Sequence, residues 1–184
     1  MIILLANGKT FDLEHPDPSA IDIRTIAASL SKLCRFNGHV KRFYSVAEHC
    51  VLVSGIVAYD LGHPELALKG LLHDATESFV GDMVSPLKRT QPAYKKVEHR
   101  VARAIKTAFS VPHGGNEHVK RADLIAGATE AAQLMPPSTY WDWGGQNTFQ
   151  GARPMEDPPR LGWTPRRAEA EYLDAFQEIT GVPL

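Results

Sequence analysis

The sequence is short of several things that would point to particular lives. It carries only two cysteines, Cys34 and Cys50, in 184 residues. Two thiols make no disulfide framework, so a reducing compartment is the starting expectation. It has no stretch approaching the roughly 20 apolar residues of a bilayer span. Its opening, MIILLANGKTF, closes the apolar run at Asn7-Gly8, too short for the core of a signal peptide. It also lacks net charge: 20 Lys and Arg against 21 Asp and Glu leave −1. That argues against a broad surface for a nucleic-acid polymer while leaving room for a local basic pocket. No internal repeat is present. What these absences leave is a cytoplasmic globular protein with no membrane partner. The length predicts one domain over residues 1–184, with a core large enough to stand without staples.

What is present is helical periodicity between short punctuations. Residues 1–20 read as an extended segment, MIILL and the stretch after NGK giving a small β-hairpin. From Asp22, the apolar residues Ile23, Ile26, Ala27, Leu30 and Leu33 recur at helical spacing, and Asn37-Gly38 stops them. Ser45-Val46-Ala47-Glu48 is a capping box, with the serine accepting from the amide of residue 48 and Glu48 reaching back. Its helix runs to about Leu61, before Gly62. Pro64 opens a third helix that carries LLHDATES and ends before Gly81. The loop GDMVSPLKRTQP follows, then helices over about 92–109 and 117–134. Residues 136–163 are rich in Pro and Gly and hold all three tryptophans; they read as a packed loop or flap. A last helix spans 164–181, capped by Thr164. The expected fold is all-α, a helical bundle with a short N-terminal β-hairpin.

The polar residues in LLHDATES pose the chemical question. His73 and Glu77 lie one turn apart, Asp74 is adjacent, and Leu71 and Leu72 place them near the core. Burying such groups is costly unless hydrogen bonds or a metal compensate. A satisfied His-Asp pair is the bland reading of the doublet alone. Two further residues weigh against it. His49 sits on the apolar face of the second helix, and Asp123 lies among Val119, Ala122 and Ala126 in the fifth. Neither Lys120 nor Arg121 is expected on the Asp123 face, so that acid calls for another partner. Two imidazoles and two carboxylates suit a divalent transition ion with positions open for water or substrate. His49, His73, Asp74 and Asp123 are the candidate ligands. Glu77 is then free to position or deprotonate a water.

The order H…HD…D on successive helices resembles the HD-domain phosphohydrolases, over roughly residues 21–135. Arg35-Phe36 upstream of YSVAEH, and LLHDATESFVGDMVSPLK, resemble segments of small bacterial 5′-deoxynucleotidases and phage dATP triphosphohydrolases. The resemblance implies an HD-domain bundle with His49, His73, Asp74 and Asp123 as metal ligands. It further implies Glu77 as the water-activating or proton-shuttling carboxylate and Asp82 as an acid arranging the site. Arg35 and Lys88 would hold phosphate, and Phe36, where the relatives often have tryptophan, would pack on base or sugar. The implied cofactor is one divalent ion (Co, Mn, Zn or Fe), with additional Mg accompanying a triphosphate. Relatives form homo-oligomers, and the Tyr140-Trp141-Asp142-Trp143 stretch is a candidate contact for one. A phage origin would place the protein in the host cytoplasm.

Two reactions compete: release of triphosphate from a dNTP, dATP above all, or of phosphate from a dNMP. Lys88, Arg89, Lys41 and Arg42 offer charge for a longer tail and tilt the reading to the dNTP. From other classes come a non-catalytic nucleotide-binding HD module and a purely structural helical protein. His39, between Arg35 and His49, is a further candidate to face the site.

Overall fold

The computed structural model describes residues 1–111, 113–136 and 148–184. The Tyr140–Trp143 stretch and most of the Pro/Gly-rich run before it therefore lie outside the described residues.

Strand β1 (Ile2–Leu4) pairs antiparallel with β2 (Thr10–Asp12), with Ile3 opposite Phe11. Gly8, at φ +78°, makes the turn that the Asn-Gly pair predicts. Among the described residues eight α-helices follow, so the all-α expectation with a small hairpin holds. They are α1 (Ile23–Leu30), α2 (Val46–Gly55), α3 (Ala67–Leu71) and α4 (Glu77–Val80), then α5 (Ser85–Arg89), α6 (Pro92–Ala108), α7 (Asn116–Leu134) and α8 (Pro165–Thr180).

Their ends follow local chemistry. The Asp22 carboxylate accepts from the Thr25 amide, Ser45 Oγ from the Glu48 amide and Thr164 Oγ1 from the Arg167 amide. The reciprocal half of the expected capping box does not form. The Glu48 carboxylate instead accepts the amides of Gly162 and Trp163, both at 2.8 Å, and so ties down the chain entering α8. The first helix stops at Leu30, short of the Asn-Gly pair. A bridge between Cys34 and Ser45 closes residues 35–44 into a loop that returns Arg35 beside Tyr44. The expected loop after Gly81 contains α5, a single short helix with Pro86 in its first turn.

The largest difference lies at LLHDATES. One continuous helix was expected, but α3 ends at Leu71 and α4 begins at Glu77, with 3₁₀-type turns between them. His73 supplies a reason. Its Nδ1 donates to the Gly70 carbonyl at 2.7 Å, taking an acceptor that a regular helix would offer to a backbone amide further on.

The central element is α2, buried at eight of its ten positions. On one side it packs with α1, α3, α6, α8 and the hairpin around Ile26, Leu30, Leu71, Tyr172 and Phe11. On the other it packs on α7 around Val53, Ile56, Ala122 and Ala126. Gly70 allows α3 to lie close against α2, since a Cβ there would come within 3.0 Å of Ser54 Cα. Tyr172 Oη donates to the Leu71 carbonyl and pins the end of α3 from α8. The polar residues of interest thus fall where α2, α3 and α7 converge. Among the described residues no helix is long and apolar enough to cross a membrane.

Candidate metal centre

His49 is fully buried on α2, and its Nε2 points at Nε2 of His73, 3.1 Å away. The same His49 atom is 3.5 Å from Asp74 Oδ2 and 3.5 Å from Asp123 Oδ1; His73 Nε2 is 3.2 Å from Asp74 Oδ2. The atoms offered by His49, His73 and Asp123 all lie within 4.8 Å of one another, a group that could hold a metal ion. Asp74 reaches both imidazoles and also lies 3.5 Å from Arg35 Nη1.

The other ring nitrogens fix what these Nε2 atoms are. His73 Nδ1 faces the Gly70 carbonyl, which only accepts, so that nitrogen carries the proton. His49 Nδ1 lies 2.5 Å from Glu130 Oε1. Glu130 is fully buried, and Arg35 and His49 hold its carboxyl below the ordinary range although burial opposes this. It therefore also accepts. When both rings are neutral, two lone pairs and two carboxylate oxygens converge on one point with nothing positive between them. A cation or a proton must supply the difference. Burial disfavours a charged imidazole, yet the surrounding carboxylates raise both His49 and His73 above the ordinary histidine range. The imidazoles in turn keep the carboxyls of Asp74 and Asp123 low against the effect of burial.

Glu77, the first residue of α4, is buried, and among the described residues its Oε2 has no hydrogen-bond partner. Burial, then Asp74, then Asp82 push its carboxyl up to about 9. Asp82 is itself raised, chiefly by burial. A buried carboxyl oxygen with hydrogen-bonding capacity to spare, beside the candidate ligands, fits a residue that holds a water next to a cation.

Arg35 lies under Phe36, 5.3 Å from the ring centroid, with Nη1 toward Asp74 and Nε 3.3 Å from Glu130 Oε2. Phe36 adopts a left-handed backbone, φ 55°, in the turn that carries it. Lys88, on α5 rather than in a loop, is ion-paired with Glu98 and lies 5.7 Å over the Tyr94 ring. Lys41, Arg42, Arg89 and His39 are exposed. Lys120 does share the Asp123 face, contrary to expectation: the two are three residues apart on α7, and Lys120 Nζ is 2.8 Å from Asp123 Oδ2. The other oxygen, Oδ1, is the one facing His49.

Glu130 and Tyr44 were not singled out from sequence. Tyr44 Oη donates to Glu130 Oε1 at 3.0 Å, completing an Arg35–Glu130–Tyr44–His49 network around a buried carboxylate. The available signal was spacing: Glu130 is seven residues, two turns, after Asp123, on the alanine-rich face.

No family model matches the chain. Over 175 residues it is 40% identical to the uncharacterized protein YfdR of Escherichia coli (strain K12), covering 95% of this chain and 93% of that protein. It is 33% identical over 141 residues to an uncharacterized protein of Rhodobacter capsulatus, covering 71% of each. The chain belongs to the family these proteins represent.

Proposed function

We propose that this member of the YfdR family is a metal-dependent phosphohydrolase of the HD-domain type. It acts at the 5′ phosphorus of a deoxynucleotide, with a dNTP, dATP above all, as the leading substrate. The observation that carries this reading is the pair of Nε2 atoms 3.1 Å apart, each with its Nδ1 engaged elsewhere and carboxylate oxygens of Asp74 and Asp123 beside them. With His49, His73, Asp74 and Asp123 as ligands, a single divalent ion (Co, Mn, Zn or Fe) would acidify a water and polarise the phosphoryl oxygens. The donor set fits any of these ions; an additional Mg would accompany the triphosphate.

The remaining steps belong to the chain. Glu77 takes a proton from the attacking water. Burial is the main cause of its raised carboxyl, with the charges of Asp74 and then Asp82 adding to it; a cation held by Asp74 would offset only that charge contribution and so favour proton acceptance by Glu77. The water oxygen bonds to the α-phosphorus, the Pα–O5′ bond breaks, and O5′ leaves with the proton. The products are deoxynucleoside and triphosphate. Arg35, fixed by Asp74 and Glu130, offers its guanidinium edge to the phosphoryl oxygens. Phe36 packs on base or sugar, and Asp82 sets the charge around Glu77.

A 5′-deoxynucleotidase acting on dNMPs is the second reading. One observation favours it: Lys88, a cation expected to meet a longer tail, is already paired with Glu98. Product analysis across all dNTPs and dNMPs with several metals separates the two. Deoxynucleoside with triphosphate supports the first reading. Orthophosphate from dNMP alone defeats it, and no turnover with any metal leaves only a nucleotide-binding module. Glu77→Ala is expected to abolish turnover while sparing metal binding.

A further inference from the structure

The cations nearest the cluster on the Arg35 and Lys88 side are committed to acids. A second face of the same cluster is arranged differently. A cleft of about 260 Å³ between α3, α6 and α7 has His73 and Asp123 in its lining, with Lys69, Lys106 and Lys120 around it and apolar walls such as Leu72 and Val119. Lys69 is buried, its ammonium on the Gly114 carbonyl, and Lys120 sits on Asp123. Lys106 is exposed and, among the described residues, has no carboxylate partner.

Lys106 and Ala102 also line an adjoining groove with Lys96, His99, Arg100 and Arg103. Positions 96, 100, 103 and 106 share one face of α6. The only acid on α6 is Glu98, and it is taken by Lys88. Among the described residues, none of Lys96, Arg100, Arg103 and Lys106 is paired with a carboxylate. Four like charges at helical spacing repel one another, in a chain whose net charge is −1. The stripe runs about 15 Å along the helix axis and ends at the wall that holds two candidate metal ligands.

We infer that this cleft and groove form a subsite for a chain of phosphates leading away from the metal-held phosphorus. It would take the tail of a nucleoside polyphosphate. This rests on the phosphohydrolase reading and deepens it toward triphosphates. The inner part, from Lys120 and Lys69 to Lys106 and Arg103, meets the tail; Arg100 and Lys96 extend the field outward and draw it in. A nucleic-acid strand is the less fitting polyanion. Strand grooves stack bases on large aromatic side chains, and the one tyrosine, phenylalanine or tryptophan on α6, Tyr94, is partly buried beneath Lys88 with its hydroxyl on the Gly81 carbonyl, leaving only the His99 ring in the groove.

The test uses inorganic tripolyphosphate as the probe, titrated by calorimetry into the metal-loaded full chain. Arg103 and Lys106 are exposed, so the R103A/K106A variant should keep its melting temperature. The tripolyphosphate affinity is expected to fall about tenfold or more in that variant, with orthophosphate affinity falling much less. The charge-conserving R103K/K106R variant is expected to restore binding. Unchanged tripolyphosphate affinity in R103A/K106A overturns the inference. So does loss confined to an oligo-dT probe, which would assign the stripe to nucleic acid. The expected loss of tripolyphosphate binding without hydrolysis of any deoxynucleotide upholds the subsite and defeats the hydrolase reading.

Discussion

His49 and His73 present the same atom to the same point from unlike surroundings. His49 is fully buried on the central helix, and a buried carboxylate holds its far nitrogen; that carboxylate also carries Arg35 and Tyr44. His73 is half-buried at the break between α3 and α4, and a backbone carbonyl holds it. The first imidazole is oriented by charge and the second by chain geometry. A charge network can be dismantled by one substitution, whereas a backbone acceptor survives any side-chain change at its own position. The two walls should therefore fail differently.

The largest effect is expected at Glu130. Removing it leaves the half-buried Arg35 guanidinium with Asp74 alone and takes the buried His49 and Tyr44 away from their shared acceptor, so Glu130→Ala should cost about 3–5 kcal/mol of metal-free stability in denaturant unfolding. Glu130→Gln, which keeps an acceptor, should cost less. Both should weaken metal binding by about 10–100-fold, the usual range for a group that orients a ligand. A Glu130→Ala protein of wild-type stability and metal affinity would remove the contrast between the walls.

Next comes pH. Glu77 is raised from 4.5 to about 9 in the fold, so the folded state holds a proton that the unfolded chain releases. Its contribution to stability is full below about pH 4.5 and is lost as pH rises toward 9. The two raised histidines act in the same direction above their unfolded value of about 6.5, while the lowered Asp74 and Asp123 favour the fold until the pH falls below about 4. The metal-free protein should be most stable in mildly acidic solution and weaken toward alkali. Metal should stabilise it increasingly with rising pH, as protons leave the imidazoles. Glu77→Gln should flatten the alkaline loss measured by thermal unfolding; an unaltered pH profile would show that Glu77 is not the buried acid described.

The smallest effect is expected at Lys120. Its bond to Asp123 is an exposed pair, so Lys120→Ala should change stability by less than about 1 kcal/mol and leave the Oδ1 that faces His49 in place. A large loss of metal affinity would mean that Lys120 positions Asp123 rather than merely covering it.

How far these features could be read from the chain follows from the same physics. His49 and Asp123 stood out because each interrupts an apolar helical stripe, and such residues need partners. Glu130 did not, because in ATEAAQ a glutamate looks like an ordinary solvated helix residue; only its two-turn spacing from Asp123 tells otherwise. The break after Leu71 was hidden because periodicity reports which faces are apolar, not that an imidazole will compete for its own helix's carbonyl. Glu48 matched a capping box by pattern, yet the backbone of Gly162 and Trp163, more than a hundred residues away, took its carboxylate. Local rules placed the helix starts well and could not see these long-range claims on the same side chains.

The most direct measurement is the metal content of the purified chain beside that of Asp123→Ala, with both shown to be folded. One equivalent of a divalent transition ion in the first and its loss in the second is the expected result. A folded wild-type chain that takes up no stoichiometric ion, or an Asp123→Ala variant that binds it as well, would contradict the account.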